Sequence, residues 1–96
     1  MRLVIETAFD ACSVALLDGD RVAASAHEEI GRGHAERLVP MISEVLAVAG
    51  VSRADAISVD VGPGSFTGIR IGIAAARALG LAWGSPVSGY ASTAAV

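Results

Sequence analysis

The chain has 96 residues, enough for one domain or one lobe of a larger protein, and 53% of them are hydrophobic with few aromatics. Its net charge is -3 and its seven basic residues are all Arg, so it lacks both the Lys of a Walker phosphate loop and the positive balance that grips nucleic acid. A single Cys12 excludes an intrachain disulfide and reads as a buried, reduced thiol, and two His without a Cys cluster argue against a metal centre.

In chain order, Arg2-Leu3-Val4-Ile5-Glu6 reads as a strand. Glu6 and Asp10 interrupt the early apolar stretch, so it does not read as a signal peptide. The turn from Thr7 to Ala11 has no Gly and carries Phe9, which would crowd a phosphate, so Glu6-Thr7 reads as a strand end with a polar cap. Cys12 to Leu17 is a second strand, Asp18-Gly19 a tight hairpin turn, and Arg21 to His27 the returning strand. The chain thus opens as a three-stranded antiparallel meander.

Gly31-Arg32-Gly33 breaks the pattern, and a helix follows over His34–Ala49. Leu38, Met41, Ile42, Val45, Leu46 and Ala49 fall on one face of it. Gly50 is its natural stop, and Pro40 should kink it or loosen its first turn. Ala56 to Val61 is the fourth strand, Thr67–Leu81 the second helix, and Pro86-Val87-Ser88 a fifth strand; Ala91 to Val96 begins a third helix. Strands four and five, joined through a helix, should run parallel. The order β-β-β-α-β-α-β predicts an α/β fold: a mixed five-stranded sheet with helices packed on it. Ala78 to Val96 carries no charge, but Gly80, Gly84, Pro86 and Gly89 break it, so it does not read as a membrane span. The default location is the cytoplasm.

The run from Gly62 to Gly72, Gly-Pro-Gly-Ser-Phe-Thr-Gly-Ile-Arg-Ile-Gly, links the fourth strand to the second helix. Such a turn presents backbone N–H groups and the positive end of a helix, so Gly62, Gly64, Ser65, Thr67 and Gly68 are a candidate anion-binding loop. It is neither a Walker loop nor Gly-x-Gly-x-x-Gly, because Gly68 comes one place late. Ser65 is read as the helix N-cap; no Gly-x-Ser-x-Gly elbow surrounds it and no triad is proposed. His27 and His34 are separated by Gly31 and Gly33 and cannot share a helix face.

Gly68, Gly72, Ala76 and Gly80 recur every four residues and form one line along the second helix. Each interior Gly costs about 1 kcal/mol relative to Ala, so the line implies close approach of another backbone. That backbone is either the protein's own sheet or a helix of another subunit. Arg70 and Arg77 share a different, polar face.

Three segments together resemble the bacterial TsaB (YeaZ) family: the Gly62–Gly72 run, Ile5-Glu6-Thr7-Ala8 with Ala11-Cys12-Ser13-Val14-Ala15-Leu16, and His34-Ala35-Glu36-Arg37-Leu38-Val39-Pro40-Met41-Ile42. The resemblance covers nearly the whole chain. It implies an actin-like (ribonuclease H-like) lobe, residues 1–96, as the amino-terminal half of a protein about twice this length, the second lobe being absent from this chain. It also implies a non-catalytic partner subunit in making threonylcarbamoyladenosine in tRNA, with no cofactor of its own. The implied partners are a TsaD-type catalytic subunit, a TsaE-type ATPase, and a second copy docked through the first two helices. On that expectation Leu38, Met41, Val45, Ile69, Gly72, Ile73 and Ala76 form the docking face, and a bulky change at Gly72 breaks self-association without unfolding the domain. The acidic balance argues against direct tRNA contact. The alternative is half of an ATP-binding kinase-like or glycoprotease-like enzyme whose second lobe is missing.

Overall fold

The computed structural model describes residues 1–7, 11–29, 34–62 and 66–91. Strands β1 (Arg2–Glu6), β2 (Ala11–Asp18) and β3 (Arg21–Glu29) form the expected antiparallel meander. Helix α1 (His34–Ala49), β4 (Ala56–Asp60), α2 (Phe66–Trp83) and β5 (Val87–Tyr90) follow. The sheet order is β3-β2-β1-β4-β5. β1 is the pivot, antiparallel to β2 and parallel to β4, and β4 is parallel to β5. This is the mixed five-stranded sheet of an actin-like lobe. The expected third helix start, beyond Ala91, lies outside the described residues.

Period-two alternation sorts the sheet into two faces. Leu3, Ile5, Cys12, Val14, Leu16, Ile57 and Val59 point to one face and are buried. Register confirms the sorting, with Leu3 level with Leu16 and Ile57, and Ile5 with Val14 and Val59. Both helices cover this face: α1 lies on β2 and β3, α2 on β4, β1 and β5, and the helices touch each other. Leu38, Met41, Ile42 and Val45 of α1 and Ala76 of α2 complete the core. The opposite face carries Arg2, Val4, Glu6, Ser13, Ala15, Leu17, Ser58 and Asp60.

Helix α1 is continuous from His34 to Ala49 with Pro40 inside it. Pro40 is solvent-exposed, so the Glu36 carbonyl that loses its amide partner faces water. The helix ends as its sequence demands. Gly50 takes φ +73°, its N–H reaches the Ala47 carbonyl at 3.1 Å, and Val51 N–H reaches Leu46 at 3.0 Å. These two bonds are the Schellman closure, which needs a residue at ease in the left-handed region.

The small-residue line of α2 packs inward. A Cβ at Gly72 would lie 2.5 Å from Thr7 Oγ1 and 3.2 Å from Val59 Cγ2. One at Gly80 would lie 2.6 Å from Val87 Cγ2. The approaching backbone is therefore the chain's own sheet. The subunit-contact reading of this line, and with it a disruptive yet well-folded Gly72 variant, is corrected: bulk at Gly72 strikes β1 and β4.

Candidate docking surface

The residues proposed for docking separate into two sets. Leu38, Met41, Val45, Gly72 and Ala76 are buried beneath the helices, where they hold α1 and α2 on the sheet. They have no surface left to offer a partner, which corrects the expectation for these five. The error has a simple cause: an apolar stripe marks the face a helix buries, and a helix on a sheet buries it internally. Ile69 and Ile73 are half-buried at the flank of α2.

The outward sides of the same helices carry small and apolar residues beside Glu36, Glu44, Arg70 and Arg77. On α1, Val39, Ser43 and Ala47 line up at four-residue spacing, with Val39 57% exposed and Val48 beside them 76% exposed. On α2, Thr67, Ala74, Ala78 and Leu81 are exposed, Leu81 by 87%. Arg70 and Arg77 are exposed on the same helix, as their polar character predicts. Because α1 and α2 lie side by side on one sheet face, their outer sides form one layer.

The glycine loop is described only in part; Gly64 and Ser65 lie outside the described residues, and so does the N-cap reading of Ser65. Gly62 is buried at φ +117°, and its N–H donates to Asp60 Oδ1 at 2.9 Å. The loop's first amide is thus committed to the chain's own carboxylate, a poor neighbour for an external anion. Thr67 is exposed. Gly68 is buried, and its carbonyl accepts the Thr7 hydroxyl at 2.6 Å, a bond that ties the end of β1 to the first turn of α2.

Two polar clusters escaped the sequence reading. Arg37 of α1 donates through Nε and Nη2 to the two carboxylate oxygens of Glu28 on β3. That bidentate bond holds the Glu28 carboxyl below its ordinary range and the guanidinium above its own. Cys12 lies fully buried nearby, its thiol pushed up first by burial and then by the Glu28 charge. At the carboxyl edge of the sheet, Tyr90 Oη donates to Glu6 Oε2 at 2.8 Å. Burial, that bond and the neighbouring Glu6 and Asp60 charges hold the phenol well above its ordinary value. The available signal was parity: Asp60 breaks an apolar strand, and Glu6 has the same parity at the end of its neighbour. No group of three or more His, Cys, Asp or Glu able to hold a metal occurs among the described residues. No helix among them is long and apolar enough to cross a membrane.

Comparison with known proteins gives the family of the chain. Residues 22–96 match the family model for TsaD, tRNA N6-adenosine threonylcarbamoyltransferase. The chain belongs to the TsaD family, in its TsaB (YeaZ) branch. Its relatives include the tRNA threonylcarbamoyladenosine biosynthesis protein TsaB of Escherichia coli, 43% identical over 94% of this chain and 39% of the relative. A tRNA N6-adenosine threonylcarbamoyltransferase of Corynebacterium diphtheriae is 36% identical over 91% of this chain and 31% of its own length. The solved structure of YeaZ from Pseudomonas aeruginosa superposes with a TM-score of 0.87 at 43% identity, covering 94% of this chain and 42% of that one. The chain therefore spans about two fifths of the length of its TsaB relatives. These findings do not favour the kinase-like or glycoprotease-like alternative.

Proposed function

We propose that this chain is the amino-terminal lobe of a TsaB-type partner subunit, supporting the synthesis of threonylcarbamoyladenosine in tRNA by docking rather than by catalysis. The observation that carries the reading is the joint likeness in sequence and fold to TsaB and YeaZ proteins, 43% identity with a TM-score of 0.87. The docking surface is the outer layer of α1 and α2: Val39, Ser43 and Ala47 with Ala74 and Ala78, flanked by Ile69 and Ile73. Small side chains there let partner helices approach closely, and Arg70 and Arg77 supply a polar rim of the kind interfaces carry.

Two partners fit one surface. A second copy would meet it across a two-fold axis, each patch facing itself. A TsaD-type subunit belongs to the same family as this chain, so its equivalent helices would present a comparable layer and replace the second copy pseudosymmetrically. A TsaE-type ATPase completes the proposed set, and the cytoplasm, where tRNA is modified, is the proposed location.

The test is nucleoside mass spectrometry of tRNA from cells depleted of the protein and complemented with its full-length gene. Wild type should restore threonylcarbamoyladenosine, and an Ala74→Glu/Ser43→Glu variant, folded by circular dichroism, should not. Unchanged modification after confirmed depletion overturns the pathway. Full rescue by the double variant overturns the surface.

A further inference from the structure

The two edges of the sheet, β3 and β5, are not alike. β3 carries Arg21, His27, Glu28 and Glu29, and a register shift between Leu16 and Leu17 interrupts its pairing with β2. Charges and irregularities of this kind keep foreign strands off an edge. β5, Val87-Ser88-Gly89-Tyr90, has no charged residue, no proline within it and an unbroken register with β4. Ile57 N–H donates to the Pro86 carbonyl at 3.0 Å, and Val61 N–H to the Tyr90 carbonyl at 2.8 Å. Successive residues of a strand turn their backbone groups to opposite sides, so Val87 and Gly89 hold theirs toward the open edge. No strand among the described residues pairs with that side.

A groove of about 410 Å³ runs beside this edge, between the last turns of α2 and β5. Arg77, Gly80, Leu81, Ser85 and Val87 line it. Leu81 and Val87 are both exposed large apolar residues, so the groove offers water an apolar wall. Ser85 makes no demand on a ligand: its hydroxyl donates to the Ala54 carbonyl at 2.6 Å and its N–H to the Gly80 carbonyl at 3.0 Å. Arg77 has no hydrogen bond or ion pair among the described residues. Because α2 joins two parallel strands, it runs back against them, and Arg77 stands about 6 Å beyond Leu81 in the direction of β5. An uncommitted cation thus stands at one end of an apolar trough, beside the outward backbone groups of Val87 and Gly89.

We propose that β5 takes up an extended peptide of another protein as an added strand, with an apolar side chain of that peptide in the groove and a carboxylate two residues away on Arg77. Strand addition draws affinity from main-chain hydrogen bonds and selectivity from pockets that meet alternate side chains. Two strand residues span about 6.6 Å, which matches the separation of Leu81 and Arg77 along α2. Charge decides the occupant. A second copy pairing edge to edge would bring its own Val87 to Tyr90, which hold no acid, and would leave Arg77 unmatched. The site uses a strand edge, whereas the docking layer uses the outer sides of two helices. Arg77 borders both, but neither reading rests on the other.

The test is fluorescence polarisation on the full-length protein with two labelled, end-blocked peptides, Thr-Leu-Thr-Glu-Thr and Thr-Glu-Thr-Leu-Thr, one for each strand direction. One of them should bind with Kd below about 1 mM, the weak affinity of a small interface. N-methylation of alternate amides in that peptide should abolish binding in one phase and largely spare it in the other, since only one set faces β5. Val87→Pro removes an outward N–H without touching the β4 ladder, and should also abolish binding. Gln for Glu in the peptide, or Arg77→Ala in the protein, should each weaken binding about threefold, and both together no further. If Val87→Pro fails to fold, the N-methyl comparison decides alone. No binding of either peptide at about 5 mM overturns the proposal. So does binding that survives Val87→Pro, that N-methylation weakens equally in both phases, or that ignores both charge changes. Self-association lost on Val87→Pro would give the edge to a second copy. Slow hydrogen exchange of the Val87 and Gly89 amides without peptide would give it to the protein's own chain. Either result overturns the proposal.

Discussion

Replacing Gly72 by Ala adds a single methyl group, and the structure says where it lands. The new carbon would lie 2.5 Å from Thr7 Oγ1, 3.2 Å from Val59 Cγ2 and 3.6 Å from Ile5 Cγ2. Thr7 is fully buried, and its hydroxyl is the group that bonds the Gly68 carbonyl. A buried β-branched side chain, here just past the end of β1, cannot swing away as a long flexible one does. Either the hydroxyl rotates and leaves the carbonyl unpaired, or α2 lifts from the sheet. Overpacking costs about 1–3 kcal/mol and a lost buried hydrogen bond about 1–3 kcal/mol, while Gly→Ala in a helix returns about 1 kcal/mol. The net expectation is a loss of about 3 kcal/mol, which for a domain of this size lowers Tm by about 12–24 °C. Urea and thermal unfolding followed by circular dichroism measure it. Thr7→Ser should soften the penalty, because the smaller side chain gives the hydroxyl room to move, and a double-mutant cycle should show the coupling. A Gly72→Ala variant as stable as wild type would refute the close-approach argument for the α2 line, and the intramolecular reading would fall with it.

Other consequences can be checked separately. Ala74→Glu lies on an exposed helix position, so stability should change by less than about 0.5 kcal/mol while self-association in sedimentation is lost. Met41→Ala empties a fully buried site under α1 and should cost about 2–5 kcal/mol in urea unfolding. Because Arg37 lowers the folded-state pKa of Glu28, the pair stabilises the fold above the ordinary carboxylate range and its contribution is lost as pH falls through the lowered value. Arg37→Gln should therefore flatten that part of the stability-versus-pH curve, and a slope like that of wild type would count against the pair. Cys12, buried with its thiol pushed up, should react with a disulfide reagent only as fast as the chain opens, and at once in denaturant.

Much of the fold was legible because it rests on local rules. Alternation marked β1 and β2, Asp18-Gly19 marked the hairpin, and Gly50 marked the end of α1. The direction in which α2 turns its small residues was not legible, since Gly72, Ala76 and Gly80 suit a sheet and a neighbouring helix equally. Only the positions of Thr7, Val59 and Val87 decide it, and the first two come from other parts of the chain. The burial of Asp60 was hidden for the same reason. An aspartate at a strand end reads as solvated until β5 places Tyr90 beside it and β1 places Glu6 on its other side.

The central place of β1 has a consequence for synthesis. One of its edges is covered as soon as β2 follows it, but the other waits for β4, whose Ala56 pairs with Arg2. At usual elongation rates that second edge is unpaired for roughly 3–10 s while the intervening chain emerges from the ribosome. An open edge beside a hydrophobic strand is a template for pairing with another nascent chain. The meander with α1 across it is then the piece whose early stability decides between productive folding and aggregation, so slow codons before β4 should prolong the hazard.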